Sequence, residues 1–169
     1  MIWAPLIGFL LLFALVALGL LRPADRNIRS RLIGKPMPAL VLPAMVHGHA
    51  GLSDATPGPR LVNIFASWCG PCAAEAGALG QLKRRGVAID GVAVRDTPAD
   101  LAAFLVANGD PYRAIGNDAE SRSMIALGSS GVPESFIVDA RGIIRYQHIG
   151  AIGPQDVEDI AREYQAVGR

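Results

Sequence analysis

The chain of 169 residues has two cysteines, and they sit together as Cys69-Gly70-Pro71-Cys72 where an apolar run gives way to a helix-forming one. The run Arg60–Ala66, RLVNIFA, reads as a buried strand, being short, apolar and rich in β-formers. Residues 71–85 are rich in Ala, Leu, Glu and Lys and stop at Gly86, which predicts a helix. Pro71 suits the first helical turn, where no backbone N–H is needed. The pair is therefore expected at a strand-to-helix junction, with Cys69 at the positive end of the helix. Free N–H groups and the macrodipole would lower its thiol pKa there. Cys72 follows one turn later, within disulfide range. Cys69 is then expected to be the exposed nucleophile and Cys72 the shielded resolving thiol.

Three other uses of the pair fit poorly. A structural disulfide around two residues removes little entropy from the unfolded chain. A zinc site needs about four ligands, and the remaining candidates, His47, His49 and His148, lie far along the sequence. Covalent haem attachment needs His after the second cysteine, and residue 73 is Ala. Thiol–disulfide exchange is the chemistry left, and it needs no metal or bound cofactor because the cysteines carry the electrons.

Around this junction the chain alternates. Val87–Val94 reads as a second buried strand, and Thr97-Pro98 opens a helix that ends at Asn108-Gly109. Ala119–Leu127 is expected to be helical. Ser135–Val138 and Ile143–His148 form a hairpin about Asp139–Gly142, and Pro154–Val167 is a terminal helix. Residues 39–59 suggest a small hairpin and loops, with His47 and His49 solvated in a Gly-containing stretch. Alternating strands and helices with a closing hairpin predict a three-layer α/β domain around a mixed sheet.

The amino-terminal end differs. Ile2–Leu21 carries no charge, and about twenty helical residues match a bilayer's hydrocarbon core. The run is longer than a signal-peptide core, lacks a preceding Lys or Arg, and has no A-x-A-like cleavage site. It is read as a retained membrane anchor (1–21), followed by a polar linker (22–38) and the domain proper (39–169). Arg22, Arg26, Arg29, Arg31 and Lys35 follow the span, so the positive-inside rule alone would keep the domain in the cytoplasm. A net charge of +1 with dispersed cations offers nothing to a nucleic acid. Lys83-Arg84-Arg85 is explained by a helix C-terminus.

Trp68-Cys69-Gly70-Pro71-Cys72 resembles the active-site signature of the thioredoxin superfamily. That resemblance implies a thioredoxin-like fold and a cis-proline facing the thiols. Gly131-Val132-Pro133 fits, and a cis Pro133 would offer the Val132 backbone to an extended substrate. More of the chain resembles the membrane-anchored DsbE (CcmG) family of cytochrome c maturation: Leu32–Ala39, Leu61–Cys69, an acid at Glu75, Gly131–Glu134, and Ser135–Ile152. The resemblance implies an inner-membrane, periplasm-facing protein that reduces apocytochrome c before haem attachment. A DsbD-type membrane donor would re-reduce it. Trp68, Val132 and Glu134 are expected to meet the substrate, and Cys69, Cys72, Pro133 and Glu75 to form the catalytic set.

Two departures stand out. Gly70-Pro71 is the thioredoxin dipeptide, whereas DsbE members often carry another. Asn63 stands where thioredoxin has a buried acid. Glu75, on the face of Cys72 and three residues beyond it, is the expected substitute as proton acceptor. A general thioredoxin-like reductase and an apocytochrome-holding factor with idle thiols are the alternatives.

Overall fold

The computed structural model describes residues 3–21, 31–54 and 58–168. Five strands form one mixed sheet: β1 (Arg60–Phe65), β2 (Ile89–Val94), β3 (Ala114–Asp118), β4 (Glu134–Val138) and β5 (Ile144–Ile149). Their order is β3-β2-β1-β4-β5. β1, β2 and β3 run parallel, whereas β4 is antiparallel to β1 and β5 antiparallel to β4. The helices are α1 (Ala4–Leu21), α2 (Gly70–Arg84), α3 (Pro98–Asn108), α4 (Arg122–Ala126) and α5 (Val157–Val167).

Strand alternation divides the core in two. Leu61 and Phe65 of β1 pack with Ile89, Ala93 and Ile115 against Leu79 and Leu82 of α2, Leu101 and Phe104 of α3, and Ile160 of α5. Val62 and Ile64 turn the other way, toward Val92, Phe136, Val138 and Ile144. That second face is covered by Leu40, Leu52 and Leu127 rather than by a long helix. The layers are thus α2, α3 and α5, then the sheet, then the 40–52 segment with the short α4.

β3 was not anticipated, since Ala-Ile-Gly-Asn-Asp is poor in β-formers. Its strand state comes from its neighbours. It pairs with β2 on one side, while Ala44 and Ala50 make isolated bridges to Gly116 and Ala114 on the other. Gly116 is required by that cover: a Cβ there would lie 2.6 Å from Leu42 Cβ and 3.0 Å from Leu52 Cγ. The expected helix at Ala119–Leu127 shortens to α4 because β3 extends to Asp118 and Ser121 turns at φ 58°. The terminal helix starts at Val157 rather than Pro154; before it, Gly153 N–H donates to Asp156 Oδ2 at 2.8 Å.

Residues of the expected linker engage the sheet's edge. Gly34 N–H donates to the Ile144 carbonyl, Met37 N–H to that of Gly142, and Ile144 N–H to that of Lys35. Residues 22–30, with Arg22, Arg26 and Arg29, lie outside the described residues. α1 begins at Ala4, and its 18 residues span about 27 Å, against about 30 Å of hydrocarbon. Among the described residues no helix is long and apolar enough to cross a membrane.

Candidate active site

β1 delivers the chain to Ser67-Trp68 and α2 starts at once, so Cys69 becomes the N-cap of α2 with extended backbone (φ −91°, ψ 106°). Its Sγ accepts from Cys72 N–H at 3.2 Å, in the role usually taken by Ser or Asp. Pro71 occupies the first turn. Cys69 and Cys72 are joined in a disulfide with Cα atoms 5.3 Å apart. Both are buried in this state, Cys69 at 5% and Cys72 at 2% exposure. The expectation of an exposed Cys69 is therefore corrected. Bonded to Cys72 and packed with the core of α2, it presents only a small edge, while Trp68 beside it is 60% exposed.

The loop before Cys69 is held from β2's end. Asp96 Oδ2 accepts from Ser67 N–H and Oδ1 from Ser67 Oγ–H, both at 2.6 Å. Trp68 Nε1–H donates to the Arg95 carbonyl at 3.2 Å. Sequence reasoning missed Asp96. Its only signal was an acid at the end of the strand parallel to the cysteine strand.

The Val132–Pro133 peptide bond is cis. Val132, half-buried, packs against the cluster that contains Cys69 and Cys72. Pro133 leads directly into β4, hydrogen-bonded to β1, so a central strand pair fixes both the proline loop and the cysteine strand.

Glu75 is not a solvated helix residue: it is 1% exposed, on the buried face of α2 with Cys72. Asn63 Nδ2–H donates to its Oε1 at 2.9 Å and Ile152 N–H to its Oε2 at 3.0 Å. Burial pushes its carboxyl up to about 7, against the pull of those two donors. A group that changes charge near neutrality beside a dithiol can take and return a proton there.

Glu134 has a different position from the one expected. It is fully buried and cannot meet a docked strand. Its Oε2 accepts from Ser129 Oγ–H at 2.6 Å and Ser130 N–H at 2.9 Å, and its Oε1 from the Gln147 amide. It brackets the 129–131 loop to β5. His47 is exposed, but His49 is not solvated: its side chain is 11% exposed and pairs with Asp110 at 2.7 Å. Among the described residues no cluster of His, Cys, Asp and Glu suits a metal ion.

Comparison with known proteins agrees with this site. Residues 32–163 match the Redoxin family model. The chain is 38% identical over 167 residues to the thiol:disulfide interchange protein DsbE of Pseudomonas fluorescens biotype C, covering 96% of this chain and 92% of that one. It is 36% identical over 162 residues to DsbE of Escherichia coli K12, covering 92% and 88%. A thioredoxin-family thiol:disulfide interchange protein from Chlorobium tepidum TLS superposes with a TM-score of 0.62 at 23% identity, covering 80% and 98%. StoA from Bacillus subtilis superposes at 0.60 and 20% identity, covering 75% and 98%. The two superpositions carry the fold, and the sequence matches carry the family. With these matches and a Cys-Gly-Pro-Cys disulfide at a helix N-terminus, the chain belongs to the redoxins, among the DsbE thiol:disulfide interchange proteins, and is a thiol–disulfide oxidoreductase.

Proposed function

We propose that this protein works as a reductase of apocytochrome c, tethered by α1 to the bacterial inner membrane with its domain in the periplasm. The observation that carries the reductive direction is Glu75, a buried carboxyl on the Cys72 side of the disulfide. Helix N-termini stabilise a thiolate at Cys69, which by itself would favour the reduced state and make the pair oxidising. An acid beside Cys72 opposes a second negative charge there and holds that stabilisation down. The dithiol is then willing to give its electrons away.

The substrate segment runs extended past Val132-Pro133 and beneath Trp68, whose indole is the large exposed apolar group at the rim. Cys69 attacks the substrate disulfide, and Cys72 resolves the mixed disulfide. A membrane donor of the DsbD type returns the two electrons. The family likeness supports the cytochrome substrate. The uncharged sequence of α1 supports a tether. A periplasmic domain runs against the arginines that follow the helix; the location of secreted cytochromes is what favours it.

The test is capture in the cell. Cys72→Ala should accumulate mixed disulfides with apocytochrome c and one membrane donor, seen by non-reducing electrophoresis and mass spectrometry, and Cys69→Ala should trap almost nothing. A broad ladder of unrelated partners would replace the cytochrome reading with a general reductase. Alkaline phosphatase fused after Arg169 should be active; an inactive fusion reverses the topology.

A further inference from the structure

Asn63 lies at the middle of β1, fully buried, between Gly91 on β2 and Ser135 on β4. Both N–H groups and the oxygen of its amide are engaged. Its Nδ2 donates to Glu75 Oε1 at 2.9 Å and to Ser135 Oγ at 3.0 Å, and its Oδ1 accepts from Tyr112 O–H at 2.8 Å. The polarity of this relay is set by its chemistry. With both N–H groups directed at Glu75 and Ser135, Oδ1 is left as an acceptor, so Tyr112 must donate and must be protonated. Burial, with the Glu75 and Asp110 charges nearby, keeps the phenol protonated well above its ordinary range.

The fold also makes room for the phenol. Its ring stacks on Phe65 with centroids 4.5 Å apart. It lies over Gly91, where a Cβ would come within 2.9 Å of Tyr112 Cδ1 and 2.8 Å of Phe65 Cε1. A bare glycine strand position, an aromatic partner and a central-strand amide together deliver one hydroxyl to one carbonyl oxygen, and through it one N–H to Glu75.

We propose that Asn63 and Tyr112 are positioning residues for proton transfer at Glu75: the phenol orients the amide, and the amide holds Oε1 of the carboxylate that serves Cys72. This rests on the reading of Glu75 as the proton acceptor. In the resolving step the Cys72 S–H bond breaks and its proton passes to Glu75. The Cys72 thiolate forms a bond to Cys69 Sγ, and the bond from Cys69 to the partner's sulfur breaks with its electron pair on the partner. The partner thiolate takes up a proton, Glu75 releases one, and two electrons have passed from the dithiol to the partner's disulfide. The relay's donors favour the ionised carboxylate against burial, so they keep Glu75 able to accept a proton near neutral pH. Polarisation along the chain strengthens the last bond.

The experiment is single-turnover reduction of glutathione disulfide by the reduced full-length protein in detergent, from pH 5 to pH 9, for wild type, Tyr112→Phe, Asn63→Ala and Glu75→Gln. Tyr112→Phe should move the acid-side inflection up by about half a pH unit, the size expected for one weakened hydrogen bond. Asn63→Ala should move it further. A carbon-13 titration of the Glu75 carboxyl should shift in the same order, independently of activity. Inflections and titrations of both variants that overlay wild type, while Glu75→Gln abolishes the inflection, overturn the relay alone. A wild-type inflection that survives Glu75→Gln overturns the reading of Glu75 itself. Should Tyr112→Phe not fold, Asn63→Ala decides by the same readouts.

Discussion

Glu75 and Glu134 are two acids beside the same active site, equally buried and differently employed. Glu134 has donors on both oxygens from three residues, Ser129, Ser130 and Gln147. Glu75 has one donor on each oxygen, from Asn63 and Ile152, and burial outweighs them, leaving its carboxyl near 7. Glu134 brackets two segments through three residues, whereas Glu75 keeps a single donor on each oxygen against the pull of burial. The difference also maps onto elements: Glu134 ties a loop to an edge strand, whereas Glu75 sits on the helix that carries the thiols.

The largest effect that would sharpen this contrast is on the bracket. Glu134→Ala leaves the Ser130 N–H and the Gln147 amide without their carboxylate and should cost about 3 kcal/mol in urea unfolding. A cost near zero would break the comparison.

Glu75 should make stability depend on pH. Unfolded, Glu75 titrates near 4.5, and folded near 7. Between those values the native state holds a proton that the unfolded chain releases. Its contribution is therefore full below about pH 4.5 and is lost as the pH rises through 7. The span is on the order of 3 kcal/mol at most, read by urea unfolding of the oxidised protein at pH 5 and pH 8. Glu75→Gln should flatten it.

Exchange kinetics come next in size. Glu75→Gln should slow disulfide exchange near neutral pH by about tenfold, at the low end of general acid–base effects, without loss of fold stability at that pH. Unchanged rates across pH 6 to 9 would return Glu75 to a structural role. The smallest effect belongs to Ser129→Ala, which removes one of Glu134's donors. It should cost about 1 kcal/mol and leave exchange rates as they are.

Much of the fold was legible along the chain because its signals are local. A short apolar run, a helix-starting proline and a stopping Gly86 define β1 and α2 within residues 60–86, and Gly86 takes the positive φ of 83° that its position requires. The Asp139–Gly142 turn is likewise local: Asp139 Oδ1 accepts from Arg141 N–H and Ile143 N–H. β3 was illegible because its strand state lies in what it pairs with, and Gly116 is informative only once Leu42 and Leu52 are seen above it. His49 was misread for the same reason, since Asp110 is 61 residues away.

What the sequence alone determined is the chemistry and its frame: a dithiol at a strand-to-helix junction, an α/β alternation, a proline before the closing hairpin, and an acid one turn past the second cysteine. Those follow from residue type and spacing over a few turns, where backbone geometry is nearly fixed. Only the tertiary structure decided which partners each acid has, and pushed the Glu75 carboxyl up to about 7. Glu75 and Glu134 each sit three residues or fewer from a catalytic feature, and nothing in their local sequence separates them. Their charges are met by groups from β1, β5, the 129–131 loop and Ile152, brought together by folding. A carboxyl's protonation depends on the donors and the dielectric around it, and both are properties of packed space rather than of chain order.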